Sequence, residues 1–228
     1  MTQDRRNGIL IGIFYIVAAV SAVVAVLCYD PVLNDNWYLA VINGKKTELL
    51  VGVLNDLFLV MAAVGTAIML FPYLRRWNEH LALGYLCFRF MEAVFIAIGA
   101  VSILGLLQLS IHYEASGIHN QENLSDIGYL LQGLHRWTSM LGPNFMLGVN
   151  TILYSYLLFR TRLVPRPLAM FGMVTAVLVF TAGLLEMFGA LEPYSAAKGF
   201  LALPVGVYEM SLAAFLIVKG FNHVKPGT

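Results

Sequence analysis

Six apolar runs, each long enough to cross a bilayer as a helix, dominate this 228-residue chain: about 8–28, 48–73, 81–110, 128–158, 168–190 and 200–219. A hydrocarbon core of about 30 Å takes about 20 helical residues. Backbone groups in lipid must be satisfied within their own segment, which selects helices. The short alternating segments of a membrane barrel are absent from the sequence. The expected fold is therefore all-α: an integral membrane bundle of six transmembrane helices, with residues 1–228 forming a single transmembrane domain. Composition agrees, with 59% hydrophobic and 12% charged residues, against about 25% charged in a typical soluble domain. Mean hydropathy is +0.76, so the apolar surplus has to face lipid. A net charge of +1 gives no electrostatic footprint for nucleic acid. Membrane lipids are the expected surroundings.

The first run follows Arg5 and Arg6 and is about 19 residues long, longer than the usual h-region of about 7–15. No small-x-small cleavage site closes it, so an uncleaved first span is expected. Cys28 and Cys87 fall near opposite faces of the bilayer, which argues against a disulfide. "GILIG", Gly8 to Gly12, has the GxxxG spacing that lets helices approach closely, a common motif of low specificity. The first three spans do not repeat in the last three, so an inverted-repeat transporter is not supported.

Orientation follows the bias of basic residues in short loops. One side holds Arg5, Arg6, Arg75, Arg76, Arg160, Arg162, Arg166, Lys219 and Lys225, while the other holds Lys45, Lys46 and Lys198. Both termini are accordingly expected in the cytoplasm. The opposite loops are acidic, with Asp30, Asp35, Glu114, Glu122, Asp126 and Glu192. Trp37, Tyr38 and Trp77 fall at the interfaces, where amphipathic rings prefer to sit. The cell membrane, as the bacterial cytoplasmic membrane, is the expected location.

Within the spans the chain carries ionisable groups, each costing roughly 2.5–3.5 kcal/mol at a helix centre. These are Asp56, Arg89, Glu92, His135, Arg136, Glu186 and Glu209. At about 1.5 Å per residue, Asp56, Glu209 and His135 share the outer half, Glu186 is shallower and Glu92 is near the midplane. Arg89 and Glu92, three apart, share a helix face and can pair, with Asp56 as their expected partner. In the fourth span Gln132, His135, Ser139, Pro143, Met146 and Asn150 fall in one narrow sector, flanked by Arg136. Pro143 beside Gly142 is expected to kink that helix. Four carboxylates, Asp56, Glu92, Glu186 and Glu209, against two arginines put this interior at about −2 if all are ionised, so one or more acids are expected to be protonated or a cation to be present, and His135 can supply one positive charge.

The leading candidates for ligand binding or proton coupling are Asp56, Arg89, Glu92, His135, Arg136 and Glu209. Secondary candidates are Asn55, Gln132, Ser139, Asn144, Asn150 and Glu186. No catalytic residue is identified and no cofactor is expected. A structural metal usually needs three or four His, Cys or carboxylate ligands, and His135 is the one histidine within a span. His112, Glu114, His119 and Glu122 cluster in one loop as the nearest alternative. The chain has no GxSxG, HExxH, P-loop or dinucleotide motif in a usable context. Three readings stay open. The polar interior binds a small molecule or couples protons to its movement; it performs carboxylate and histidine acid–base chemistry on a lipid-like substrate; or its charges only fasten helices together.

The order of motifs is itself informative. "NDLFLV" (Asn55 to Val60) is in the second span, "FRFMEA" (Phe88 to Ala93) in the third and "LHRWTSMLG" (Leu134 to Gly142) in the fourth. "YLLFRTRLVPRPLA" (Tyr156 to Ala169) follows. This pattern resembles a bacterial family of polytopic membrane proteins known as a domain of unknown function. The resemblance covers most of the chain and implies a six-helix fold and a membrane location. Asp56, Arg89, Glu92 and His135 match its features. It implies no activity.

Overall fold

The computed structural model describes residues 2–33, 39, 42, 44–115, 121–193 and 195–222. Asp35, Trp37, Tyr38, His119 and Lys225 lie outside the described residues, as do the side chains of Glu114 and Glu122. Helices account for each of the six apolar runs: α1 (Gln3–Leu33), α2 (Lys46–Leu74), α3 (Glu79–Ala115), α4 (Gln121–Met140), α5 (Leu147–Thr161), α6 (Arg166–Met187) and α7 (Ala196–Val218). A π-helical turn, Leu141–Met146, joins α4 to α5 without breaking the rod. No strand occurs among the described residues. Five helices are long and apolar enough to cross a membrane: α1, α2, α3, α6 and α7. The α4–α5 rod is not one of them, because α4 carries its polar residues over most of its length.

The expected kink at Gly142–Pro143 takes the form of the π turn. Proline has no N–H to give and crowds the carbonyl four residues back. Widening one turn absorbs both defects.

Each helix packs on its neighbour in sequence, and α7 returns to α1, so the helices close into a ring. Small residues allow the closure. A Cβ at Gly12 would stand 2.8 Å from the Ala213 carbonyl oxygen, and one at Gly8 only 3.4 Å from Gly220 Cα. The GxxxG motif thus seats α1 on α7, a use that its spacing alone left unspecified.

Long-range hydrogen bonds show which ends of the helices meet. The Arg5 guanidinium donates to the carbonyls of Leu216, Ile217 and Val218, and Asn222 Nδ2 donates to the Arg162 carbonyl. Tyr73 links Asp4 and Asn7 to the end of α2. Both ends of the described chain therefore lie at one end of the ring, the end that holds most of the arginines. At the opposite end Gln132 Nε2 donates to the Leu33 carbonyl.

The interior divides into two apolar cores. At the basic end Ile11, Leu70, Leu74, Leu157, Leu212 and Leu216 pack around five tyrosines. At the other end Leu33, Leu49, Val53, Ile103 and Leu106 join α1, α2 and α3. Of the polar residues singled out by sequence, Asp56, Arg89, Glu92, His135, Asn144, Asn150, Glu186 and Glu209 are buried.

Candidate functional site

Arg89 is the deepest charge, 2% exposed. Its Nη1 is 3.0 Å from Glu92 Oε2 and 3.3 Å from Oε1, the pairing that their spacing of three predicts. Asn150 of α5 donates to the same Glu92 Oε2 at 2.6 Å. The second carboxylate beside Arg89 is Glu209 of α7, 3.7 Å from Nη1. Three helices thus meet around the Arg89–Glu92 pair.

Two sequence expectations need correction here. Asp56 is not the partner of the Arg89–Glu92 pair; it accepts a hydrogen bond from the Tyr29 hydroxyl at 2.7 Å. Arg89 is ten residues from the start of α3 and Glu209 nine from the end of α7, so both are about 14–15 Å from the basic end at 1.5 Å per residue. Asp56, eighteen residues from the end of α2, is about 27 Å from it. A level difference of about 12 Å is too large for the two side chains to close. Glu209 in turn does not share the depth of Asp56 but that of Arg89. Counting from the start of the last span misjudged it because the turn before α7 dips inward: Pro193 and Ser195 reach the polar cavity.

That cavity has a volume of about 460 Å³ and lies inside the helix ring. Arg89, Glu92 and Glu209 contribute to its lining, and all three are buried. Ala18, Ala19, Ala22 and Ala25 of α1 form an apolar wall. Asp56, His135, Ser139 and Asn144 supply polar groups on other sides. Exposed Asp30 and Arg136 mark its rim. His135 Nδ1 lies 3.2 Å from the Gly99 carbonyl oxygen. A carbonyl can only accept, so Nδ1 carries a proton, and in the neutral ring Nε2 is left as an acceptor. Tyr29 meets the His135 ring edge-on at 5.3 Å between centroids.

Glu186, expected near the solvated interface, is instead 6% exposed. Its Oε2 is 2.7 Å from Lys198 Nζ. Lys198, assigned from sequence to an outer loop, belongs to the first turn of α7 and lines the cavity. Conversely Arg136, counted as an interior charge, is exposed at the rim. The inward cation is Lys198, because the dipping turn carries it into the ring.

The polar sector predicted for the fourth span is only partly kept. His135, Ser139 and Pro143 line the cavity, the widened π turn adds Asn144, and the start of α5 adds Leu147. Gln132 is used at the helix end and Asn150 supports Glu92. The side chain of Asn55 turns back onto the Val51 carbonyl, and Asn55 is not among the cavity residues.

Beside Arg89, four fully buried tyrosines assemble around Tyr154, whose ring lies 5.3 Å from Tyr85, 6.0 Å from Tyr208 and 6.3 Å from Tyr15. Tyr208 shares a hydrogen bond with Ser155 at 2.8 Å. The hydroxyls of Tyr15, Tyr85 and Tyr154, with Arg89 Nε and Glu209 Oε1, have no hydrogen-bond partner among the described residues. Sequence reasoning passed over these tyrosines because each reads as an ordinary apolar-face aromatic. Their signal was the pairing of Tyr85 with Arg89 at four residues and of Tyr208 with Glu209. Tyr29 and the alanine stripe were missed too, though Ala18, Ala22 and Ala25 recur at helical spacing.

Among the described residues no group of three His, Cys, Asp or Glu side chains is arranged to hold a metal ion. Cys28 and Cys87 are free thiols.

A family model described as a domain of unknown function (DUF4386) matches residues 10–220, and the chain belongs to that family. No curated protein and no solved structure matches it.

Proposed function

We propose that this DUF4386 member crosses the bacterial cytoplasmic membrane six times, with both termini inside, and binds a small ligand in its central cavity, with proton coupling to the ligand's movement. The α4–α5 rod is the sixth crossing. It runs from Gln132, bonded near the end of α1, to Arg162, bonded to Asn222 at the basic end, and so it travels the length of its five apolar neighbours. The lipid-facing demand on it is reduced because His135, Thr138, Asn144, Asn150, Thr151 and Ser155 are buried. The excess of arginine at the end shared by the termini supports a cytoplasmic assignment.

The observation that carries the ligand reading is Glu209. Its Oε1 is buried at the cavity, 3.7 Å from Arg89, and has no hydrogen-bond partner among the described residues. A buried polar atom without a partner costs free energy. A carboxylate that served only to fasten helices would be paired at both oxygens, as Glu92 is with Arg89 and Asn150. A ligand that completes Glu209 offsets the cost.

Native mass spectrometry with metal analysis, on protein purified in mild detergent, tests this. The expected result is a stoichiometric bound small molecule, retained by wild type and lost in Glu209→Gln and Glu92→Gln. A clean apo mass, unchanged in both variants at equal folded yield, would overturn the proposal.

A further inference from the structure

The charges around the cavity can be paired one by one. Glu92 is matched by Arg89, and Glu186 by Lys198. Arg136 and Asp30, of opposite sign, are both exposed at the rim. Asp56 has a neutral partner, the Tyr29 hydroxyl. Glu209 has only the longer contact to an arginine that already serves Glu92. Four buried carboxylates against buried Arg89 and half-buried Lys198 leave two negative charges in excess if all are ionised, and these belong to Asp56 and Glu209. A low-dielectric interior relieves such an excess by protonating an acid or by binding a positive charge.

Two further features agree on the kind of cation. Glu209 Oε1 is an acceptor without a hydrogen-bond partner in a residue that is 8% exposed. Ala18, the nearest member of the α1 wall in level, fifteen residues from the start of α1 and so about 9 Å above Glu209, offers apolar contact and no polar side chain. A hydrated metal ion would gain nothing from that wall. A cation with N–H donors at one end and a compact hydrocarbon at the other would use both sides.

Resting on the ligand-binding reading above, we infer that the cavity takes a small organic ammonium, its N–H groups donating to Glu209 and its apolar body lying on the alanine wall of α1.

Three probes of one shape and different charge test this on the full chain in lipid nanodiscs: benzylammonium, benzyl alcohol and benzoate, titrated by calorimetry. The expected result is saturable one-to-one binding of benzylammonium, at least about ten-fold tighter than benzyl alcohol, since hydrogen bonds to charged groups are the stronger class. Benzoate should not compete. Glu209→Gln should remove the ten-fold preference. Ala18→Leu, which fills the wall nearest Glu209 and leaves every charge in place, should weaken binding of both benzylammonium and benzyl alcohol. If benzyl alcohol or benzoate binds as tightly as benzylammonium, the cation inference falls and the ligand-binding reading stands. If none of the three saturates, both fall.

Discussion

Arg89 of α3 and Glu209 of α7 meet at 3.7 Å in the interior of the helix ring, and that contact joins the third helix to the last. Because Arg89 also holds Glu92 at 3.0 Å, one guanidinium neutralises parts of two carboxylates. Removing it should be far worse than removing either acid. Arg89→Leu strands two buried carboxylates and is expected to cost about 3–5 kcal/mol, while Glu209→Gln, which keeps shape and loses a long contact, should cost under about 1 kcal/mol. Replacing Arg89, Glu92 and Glu209 together by leucine should recover most of the loss. Thermal unfolding midpoints in one detergent check the order. Equal losses in Arg89→Leu and Glu209→Gln would show that the two acids do not depend on Arg89.

Lys198 and Glu186 form the corresponding pair at the first turn of α7, 2.7 Å apart. Lys198→Met leaves Glu186 buried with its main cation gone, and Glu186→Gln leaves Lys198 facing a neutral amide. The double change should be milder than the two single losses summed, with a coupling of about 0.5–3 kcal/mol. A double-mutant cycle on denaturation free energies measures it, and strict additivity would exclude a working ion pair.

These two pairs also show what could be read from sequence and what could not. Arg89–Glu92 was legible because both residues lie on one helix, where spacing fixes proximity. The helices were legible because lipid imposes a length and a composition on any crossing helix, and five of them meet both. Glu209 and Lys198 were misplaced because they lie on another helix, whose depth depends on how far the preceding turn dips. No local pattern encodes that dip. Asp56 was visible as a buried acid, but its partner Tyr29 was not, since a tyrosine on an apolar face has the same signature whether or not its hydroxyl is used. Pro143 announced a distortion; that it became a π turn presenting Asn144 to the cavity depended on what packs around it.

Gly172 shows how closely α6 meets its neighbours. A Cβ there would run into the Tyr208 ring and stand 2.5 Å from Ser155 Oγ. Tyr208 is fully buried, stacked on Tyr154 and bonded to Ser155, so it has nowhere to move. Gly172→Ala should therefore destabilise by about 1–3 kcal/mol. Gly206→Ala, where nothing lies within 4 Å, should be neutral or stabilising by up to about 1 kcal/mol. Thermal midpoints of the two variants check the contrast, and a neutral Gly172→Ala would mean that the tyrosine cluster is loosely packed.

At the basic end, Arg5 donates to three carbonyls at the end of α7 over 2.5–3.0 Å. The last carbonyls of a helix have no partner within it and carry the negative end of its dipole. Arg5→Gln should cost about 1.5–3 kcal/mol. Arg5→Lys should recover only part of it, since an ammonium keeps the charge but lacks the planar fork. Faster proteolysis near residue 218 in Arg5→Gln, with Arg5→Lys intermediate, is the expected readout. Unchanged cleavage would show that α7 ends without this cap.

The number of crossings and their direction can be tested by labelling. With Cys28 and Cys87 replaced by serine, single cysteines at Asp126, Glu192, Asn78 and Arg162 report four ends of the ring. Asp126 and Glu192 are exposed, and so is Asn78; Arg162 takes a left-handed conformation, φ 55°, after α5. If the α4–α5 rod crosses and the termini are inside, an impermeant maleimide added to intact bacteria labels Asp126→Cys and Glu192→Cys. Asn78→Cys and Arg162→Cys then react only after lysis. Labelling of Asp126→Cys and Arg162→Cys from the same side would remove the sixth crossing. The inverse pattern would keep it but turn the cavity rim, with Asp30 and Arg136, toward the cytoplasm.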